Sequence, residues 1–189
     1  MSDIAILKEM LTDAVIVPLT ENEYGKKRIT LTENNAPIRY SVAIDGMPDE
    51  VIVIKTDAVP APKNLFCNSK GECKRADFTI VADTGTRKVI LFIEMKAQAN
   101  TSRKSEIIQQ LNGSRCLIHY CQAIGQIFWK EPDFLINYEH RFIKIVTKTT
   151  GSIRKQGSRS QSEIHDEPEK MLTMTKLKQN LKFNQLVGK

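Results

Sequence analysis

Ile4, Leu7, Met10 and Leu11 recur at helical spacing behind Ser2 and Asp3, which can cap a first turn, and predict a helix over about residues 3–12. Pro18 closes a short apolar piece, and Lys26-Lys27-Arg28 leads into Ile29-Thr30-Leu31. Beyond Ala36-Pro37 the period changes. Ile38, Tyr40, Val42 and Ile44 alternate with Arg39, Ser41, Ala43 and Asp45 up to Gly46, the pattern of a strand with one buried face. A second strand at Val51–Lys55 and the turn chemistry of Asp45-Gly46-Met47-Pro48 predict a hairpin between the two. Residues 58–73, rich in Pro, Asn, Ser and Gly, read as a loop.

Phe78–Ala82 and Lys88–Met95 are strands on either side of Asp83-Thr84-Gly85-Thr86, and the second is apolar on both faces, as a central, covered strand is. Ser102 can cap a helix running to about Ile124, with Ile107, Ile108, Leu111, Leu117, Ile118 and Cys121 inward and Gly125 as its stop. Phe142–Lys148 is a last strand, Gly151–Gln161 a polar, basic linker, and residues 171–189 have no firm period. The order predicts an α/β (α+β) domain over residues 1–150, a central mixed sheet flanked by helices in the order α-β-β-β-α-β, and a basic C-terminal extension over 151–189.

A chain of 189 residues with 41% hydrophobic and 26% charged positions suits one globular core rather than a disordered or fibrous protein. The longest aliphatic or aromatic run, Val89–Ile93, is far short of the ~20 residues of a membrane helix. Met1-Ser2-Asp3 lacks the basic and apolar regions of a secretory signal, so a cytoplasmic location is expected. Cys67, Cys73, Cys116 and Cys121 form no CxxC pair, and free thiols are the expectation rather than zinc or a disulfide. Charge is uneven: residues 141–189 hold 11 Lys and Arg against 4 Asp and Glu, while residues 1–140 are close to neutral. A basic segment on a near-neutral body suits a polyanionic partner or, equally, a solvated tail.

Candidate chemistry concentrates at Asp77 and Glu94-Met95-Lys96. A hairpin turn centred on Gly85-Thr86 pairs residue 84 with 87 and therefore 77 with 94, placing the two carboxylates side by side on one sheet face. Lys96 points to that face and Met95 to the other. Two carboxylates so close repel unless a cation lies between them or one is protonated. Their oxygens, with a backbone carbonyl, make a hard-oxygen set suited to Mg²⁺ or Mn²⁺. The plainer alternative is a surface strand on which Lys96 neutralises Glu94, but these charges close the most apolar strand of the chain, where solvation is incomplete.

Asp77 at the start of one strand and Glu94-x-Lys96 at the end of the next resemble the PD-(D/E)xK nuclease superfamily, whose core runs helix, three antiparallel strands, helix, strand; residues 3–148 follow that order once an extra hairpin is allowed. The resemblance implies that Asp77, Glu94 and the Met95 carbonyl ligate a divalent metal, and that Lys96 helps activate the attacking water. It implies a Gln on the following helix, for which Gln110 is preferred over Gln109, and in some branches a Glu on the first helix, where Glu9 is the candidate. No proline precedes Asp77; Lys74-Arg75-Ala76 stands there, and its two cations can bind phosphate.

Three functions are weighed: a metal-dependent nuclease acting on DNA, an RNA-cleaving enzyme of the same fold, and a non-catalytic nucleic-acid-binding or assembly subunit. Arg154, Lys155 and Arg159 are the expected backbone contacts of the basic segment, with Lys74, Arg75, Arg103 and Lys104 as the other candidate surface. Without a second domain, specificity has to come from loops, a second copy of the chain or a partner protein. His119, His140 and His165 lie in unlike contexts, Trp129 is read as core, and no phosphate-binding glycine loop is present.

Overall fold

The computed structural model describes residues 1–33, 39–97, 102–147, 164–176 and 180–188. Among the described residues two sheets and three α-helices make up an α+β fold. The larger sheet has the order β4 (Glu50–Lys55), β5 (Phe78–Asp83), β6 (Lys88–Lys96), β7 (Glu139–Thr147) and β8 (Leu172–Lys176). Its first three strands are antiparallel, and β7 and β8 run parallel to β6. The parallel step from β6 to β7 is bridged by helix α2 (Lys104–Phe128), as a parallel pair requires a crossover. The smaller sheet has the order β1 (Thr20–Glu21), β2 (Lys27–Glu33), β3 (Tyr40–Asp45) and β9 (Leu181–Lys182).

Alternation along β6 separates two cores. Ile90 and Phe92 pack with Ile52, Val81 and Phe142 against helix α1 (Asp3–Met10) and α2. Val89, Leu91, Ile93 and Met95 pack instead against Ile29, Leu31, Val42 and Ile44 of the smaller sheet and against helix α3 (Phe183–Val187). The mixed sheet is therefore covered by the two long helices on one face and by a second sheet on the other, where a single sheet was expected.

The expected hairpin between residues 38–44 and 51–55 does not form. β3 pairs with β2 through Ile44↔Ile29 and Val42↔Leu31, while β4 pairs with β5. Gly46 takes φ +73, and the amides of Gly46 and Met47 both donate to the Lys27 carbonyl, so the turn binds back onto β2 and sends the chain across to the other sheet. Period two marks a strand but does not name its partner. Helix α2 also runs through Gly125 to Phe128 rather than stopping there, and the glycine serves packing instead: a Cβ at that position would meet the Phe134 ring at 2.2 Å. This glycine admits a buried aromatic.

The end of the chain, unassigned from sequence, joins both sheets: β8 lies beside β7, and β9 beside β3. Arg141 Nε donates to the Val187 carbonyl and Arg87 Nη1 to that of Gly188, fixing α3 beneath the larger sheet. The expected boundary at 150/151 and the basic linker lie outside the described residues, but residues 164–176 and 180–188 are part of the fold rather than an appendage. Among the described residues no helix is long and apolar enough to cross a membrane.

Candidate active site

The β5–β6 turn sets the register on which the site depends. Gly85 takes φ +80, its amide donates to Asp83 Oδ1 at 2.8 Å, and the Thr84 amide donates to the Arg87 carbonyl at 2.9 Å. Phe78 pairs with Ile93, so Asp77, one step earlier, lies across from Glu94. Asp77 Oδ2 accepts from the Met95 amide at 2.6 Å, a bond that locks the carboxylate to the end of β6.

The segment entering β5 is pinned from two sides. Thr56 donates its amide to the Asp77 carbonyl and its hydroxyl to the Ala76 carbonyl at 2.6 Å. The Ala76 amide donates to Ser114 Oγ on α2 at 2.8 Å. Gly113, the preceding residue on α2, lies so close to this segment that an added Cβ would fall 1.9 Å from the Lys74 carbonyl oxygen. Backbone meets backbone here, which only glycine permits.

Glu94 is fully buried, with Lys96 Nζ 2.5 Å from its Oε1. Burial pushes the Glu94 carboxyl up to about 7, opposed by Lys96, by the Asp77 amide and by the Gln110 side chain. Asp77 is raised well above the ordinary carboxylate range, first by burial and then by Glu94. Burial alone would lower Lys96, but Glu94 and Asp77 outweigh it and raise its affinity for the proton. Gln110 thus lies beside Glu94, whereas Gln109 turns to Lys74 Nζ at 2.7 Å.

Four residues of this neighbourhood were not singled out in the sequence. Tyr40 donates its hydroxyl to the Met95 carbonyl at 3.1 Å, and burial, followed by Asp77, Glu33 and Glu94, raises its pKa. Glu33 and Asp57 each bring a carboxylate oxygen within 4.8 Å of the other and of one from Asp77, a set able to hold a metal ion. Lys144 stands on β7 in register with Glu94, and burial together with Lys96 lowers its pKa. A sequence signal existed for two of them. Lys144 interrupts Phe142-Ile143-x-Ile145-Val146 as Glu94 interrupts β6, and Glu33 ends the buried alternation of Ile29 and Leu31. Asp57, in a one-turn helix far along the chain, had no such signal.

The other expected residues divide. Glu9 is not at the site: it accepts from Trp129 Nε1 at 3.2 Å, and the further carboxylates near Asp77 are Glu33 and Asp57. Arg75 is half-buried, its Nη1 donating to the carbonyls of Glu72 and Lys74, so it braces the loop as well as offering charge. Lys74 is likewise held to α2. Arg103 and Lys104 are exposed at the start of α2. Arg154, Lys155 and Arg159 lie outside the described residues.

The donor set fits a hard divalent cation. Asp77, Glu94, Glu33 and Asp57 are carboxylates, and the Met95 carbonyl keeps a second lone pair beyond the one used by Tyr40. Neither Glu94 oxygen makes a well-directed hydrogen bond, and its ionic contact with Lys96 is the main compensation the chain supplies, with the Asp77 amide and the Gln110 side chain adding to it. Asp77 shares a carboxylate cluster with Glu33 and Asp57 and also feels the charge of Glu94, so it belongs to both groups. No family model, curated protein or solved structure matches the chain, and the functional reading rests on these residues.

Proposed function

We propose that the protein is a nuclease dependent on Mg²⁺ or Mn²⁺ that hydrolyses phosphodiester bonds, with DNA as the first substrate and the cytoplasm as its location. The observation that carries this reading is the convergence of Asp77, Glu94, Lys96 and Gln110 at the adjoining ends of β5, β6 and α2. The sequence of α1, three antiparallel strands β4–β6, α2 and the parallel strand β7 supports the resemblance to PD-(D/E)xK nucleases.

Asp77, Glu94 and the Met95 carbonyl would hold the cation, with Glu33 and Asp57 adding negative charge beside Asp77. When bound, it supplies Lewis-acid polarisation of a phosphoryl oxygen and lowers the pKa of water. Lys96 holds Glu94 in place and offers a proton donor where negative charge develops on the phosphoryl group. Gln110 steadies the Glu94 carboxylate from the helix side. Tyr40 fixes the direction of the Met95 carbonyl. Burial does the rest, because charges in a poorly solvated site interact more strongly than in water.

The test is cleavage of supercoiled plasmid, single-stranded DNA and RNA with Mg²⁺, with Mn²⁺ and with excess EDTA. Metal-dependent product from DNA is expected, and product from RNA alone would move the substrate to RNA. A second reading, a nucleic-acid-binding or assembly subunit without cleavage, draws on the 2.5 Å Lys96–Glu94 contact, which already compensates Glu94 without a cation. It predicts binding with no product in any arm.

A further inference from the structure

Beside the carboxylates lies a surface depression of about 490 Å³, broadly open to solvent. One wall is the apolar run Val59-Pro60-Ala61, the other is the segment that ends in Arg75, and Lys63 lies at its edge. Asp57 lines it as well, and Asp57 also belongs to the carboxylate cluster with Asp77. The cavity therefore begins where the proposed metal site ends. A volume of this size is in the range that holds a small ligand.

Its chemistry is uneven in an informative way. Arg75 commits Nη1 to the carbonyls of Glu72 and Lys74, while its Nε is buried and has no hydrogen-bond partner. A buried donor without an acceptor is costly, and a phosphate oxygen brought to this half-buried guanidinium would relieve that cost. Lys63 adds a second cation, exposed and on a long stem that can reach a phosphate. The Val59-Pro60-Ala61 wall has no side-chain hydrogen-bonding group, so it can pack against a sugar or a base without reading the base edge. Both sides are held in advance: Cys73 donates its amide to Asn68 Oδ1 at 3.1 Å, and the Val59 amide donates to the Thr56 carbonyl.

We propose that this cavity seats the nucleotide adjoining the phosphodiester held at Asp77 and Glu94, with its phosphate on Arg75 and Lys63 and its sugar or base against Val59-Pro60-Ala61. The proposal rests on the nuclease reading and deepens it. It makes the site tolerant of base identity and places affinity on one phosphate beyond the reacting one.

Thymidylate titrated into the full chain without divalent metal tests the seat apart from catalysis. Amide resonances of residues 59–63 and 73–75 should shift, and inorganic phosphate should bind more weakly. Lys63→Glu, at an exposed position, and Ala61→Trp, which fills the cavity, should each weaken thymidylate by about tenfold, the loss of one charge-assisted contact or of the seat itself. Both should raise KM for DNA with little change in kcat, which a purely structural role would not do. Unshifted resonances, unchanged affinity in both variants, or equal binding of phosphate and thymidylate would overturn the proposal. The two readings fail separately. Thymidylate bound in the cavity with no cleavage of any nucleic acid removes the nuclease and keeps the seat. Cleavage with unchanged KM in both variants does the reverse.

Discussion

Gly113→Ala puts the geometry behind Asp77 to the test. On helix propensity alone the change should stabilise α2 by about 1 kcal/mol, since alanine loses less backbone freedom in a helix than glycine. The structure reverses that sign. The new Cβ would lie 1.9 Å from the Lys74 carbonyl oxygen and 2.9 Å from its carbonyl carbon, and these are backbone atoms with no rotamer to escape into. Overpacking of this kind costs about 1–3 kcal/mol, and loosening the Ala76–Ser114 hydrogen bond adds about 1 more. The net expectation is a loss of about 1–3 kcal/mol, which at an m-value of about 1–3 kcal/mol per molar lowers the urea midpoint by about 1 M. Because the displaced segment leads directly into Asp77, cleavage per folded molecule should fall as well. Gly125→Ala supplies the control. Its Cβ meets the Phe134 ring at 2.2 Å, far from the carboxylates, so stability should fall while cleavage per folded molecule is kept. A Gly113→Ala protein that is about 1 kcal/mol more stable and fully active would refute the close approach of α2 to the segment before Asp77.

Glu94→Gln should trade function for stability in the metal-free protein. The folded carboxyl near 7 lies above its ordinary 4.5, so between those values the folded chain keeps a proton that the unfolded chain has lost, and stability declines as pH rises through the window. The variant should match the parent near pH 4 and exceed it by on the order of 3 kcal/mol above pH 7, read as urea midpoints across pH; a constant difference would contradict this. Lys144→Met should raise KM for DNA more than it lowers kcat, since the β7 register brings a second cation beside Lys96; unchanged kinetics would remove Lys144 from the site. Arg154→Ala, Lys155→Ala and Arg159→Ala combined should weaken DNA binding and flatten its salt dependence by about 0.9 per lost phosphate contact, and an unchanged slope would move the contact surface to Arg103 and Lys104. Truncation is a poor substitute, because it removes β8, β9 and α3.

The pairing of Asp77 with Glu94 was legible in the sequence because a short turn fixes register over the whole hairpin, and six residues of alternation carry it without a bulge. The same reasoning placed Lys96 on that face. It preferred Gln110 over Gln109 without a geometric reason, since a solvated helix face accommodates either; the reason lies in where the loop before β5 crosses α2, with Gly71 close against the Gln109 side chain and Lys74 bonded to it. The partner of β3 was misread because alternation is a property of one strand and pairing a property of two. β8 and β9 were illegible for a related reason: short strands that add to edges made elsewhere have little local pattern of their own. Glu33 and Tyr40 reach the site only because the second sheet packs against the first, and Asp57 because β4 pairs with β5, neither of which local spacing announces.

The central claim is that one set of carboxylates both holds a divalent cation and supports phosphodiester cleavage. Mn²⁺ occupancy by electron paramagnetic resonance and plasmid cleavage, measured on the same samples of the parent chain and of Asp77→Asn across a Mn²⁺ titration, test it most directly. Cleavage should rise in proportion to occupancy in the parent, and Asp77→Asn should lose both while its circular dichroism is unchanged. A folded Asp77→Asn protein that still cleaves DNA at the parent rate, or a parent that binds Mn²⁺ fully and never cuts, would contradict it.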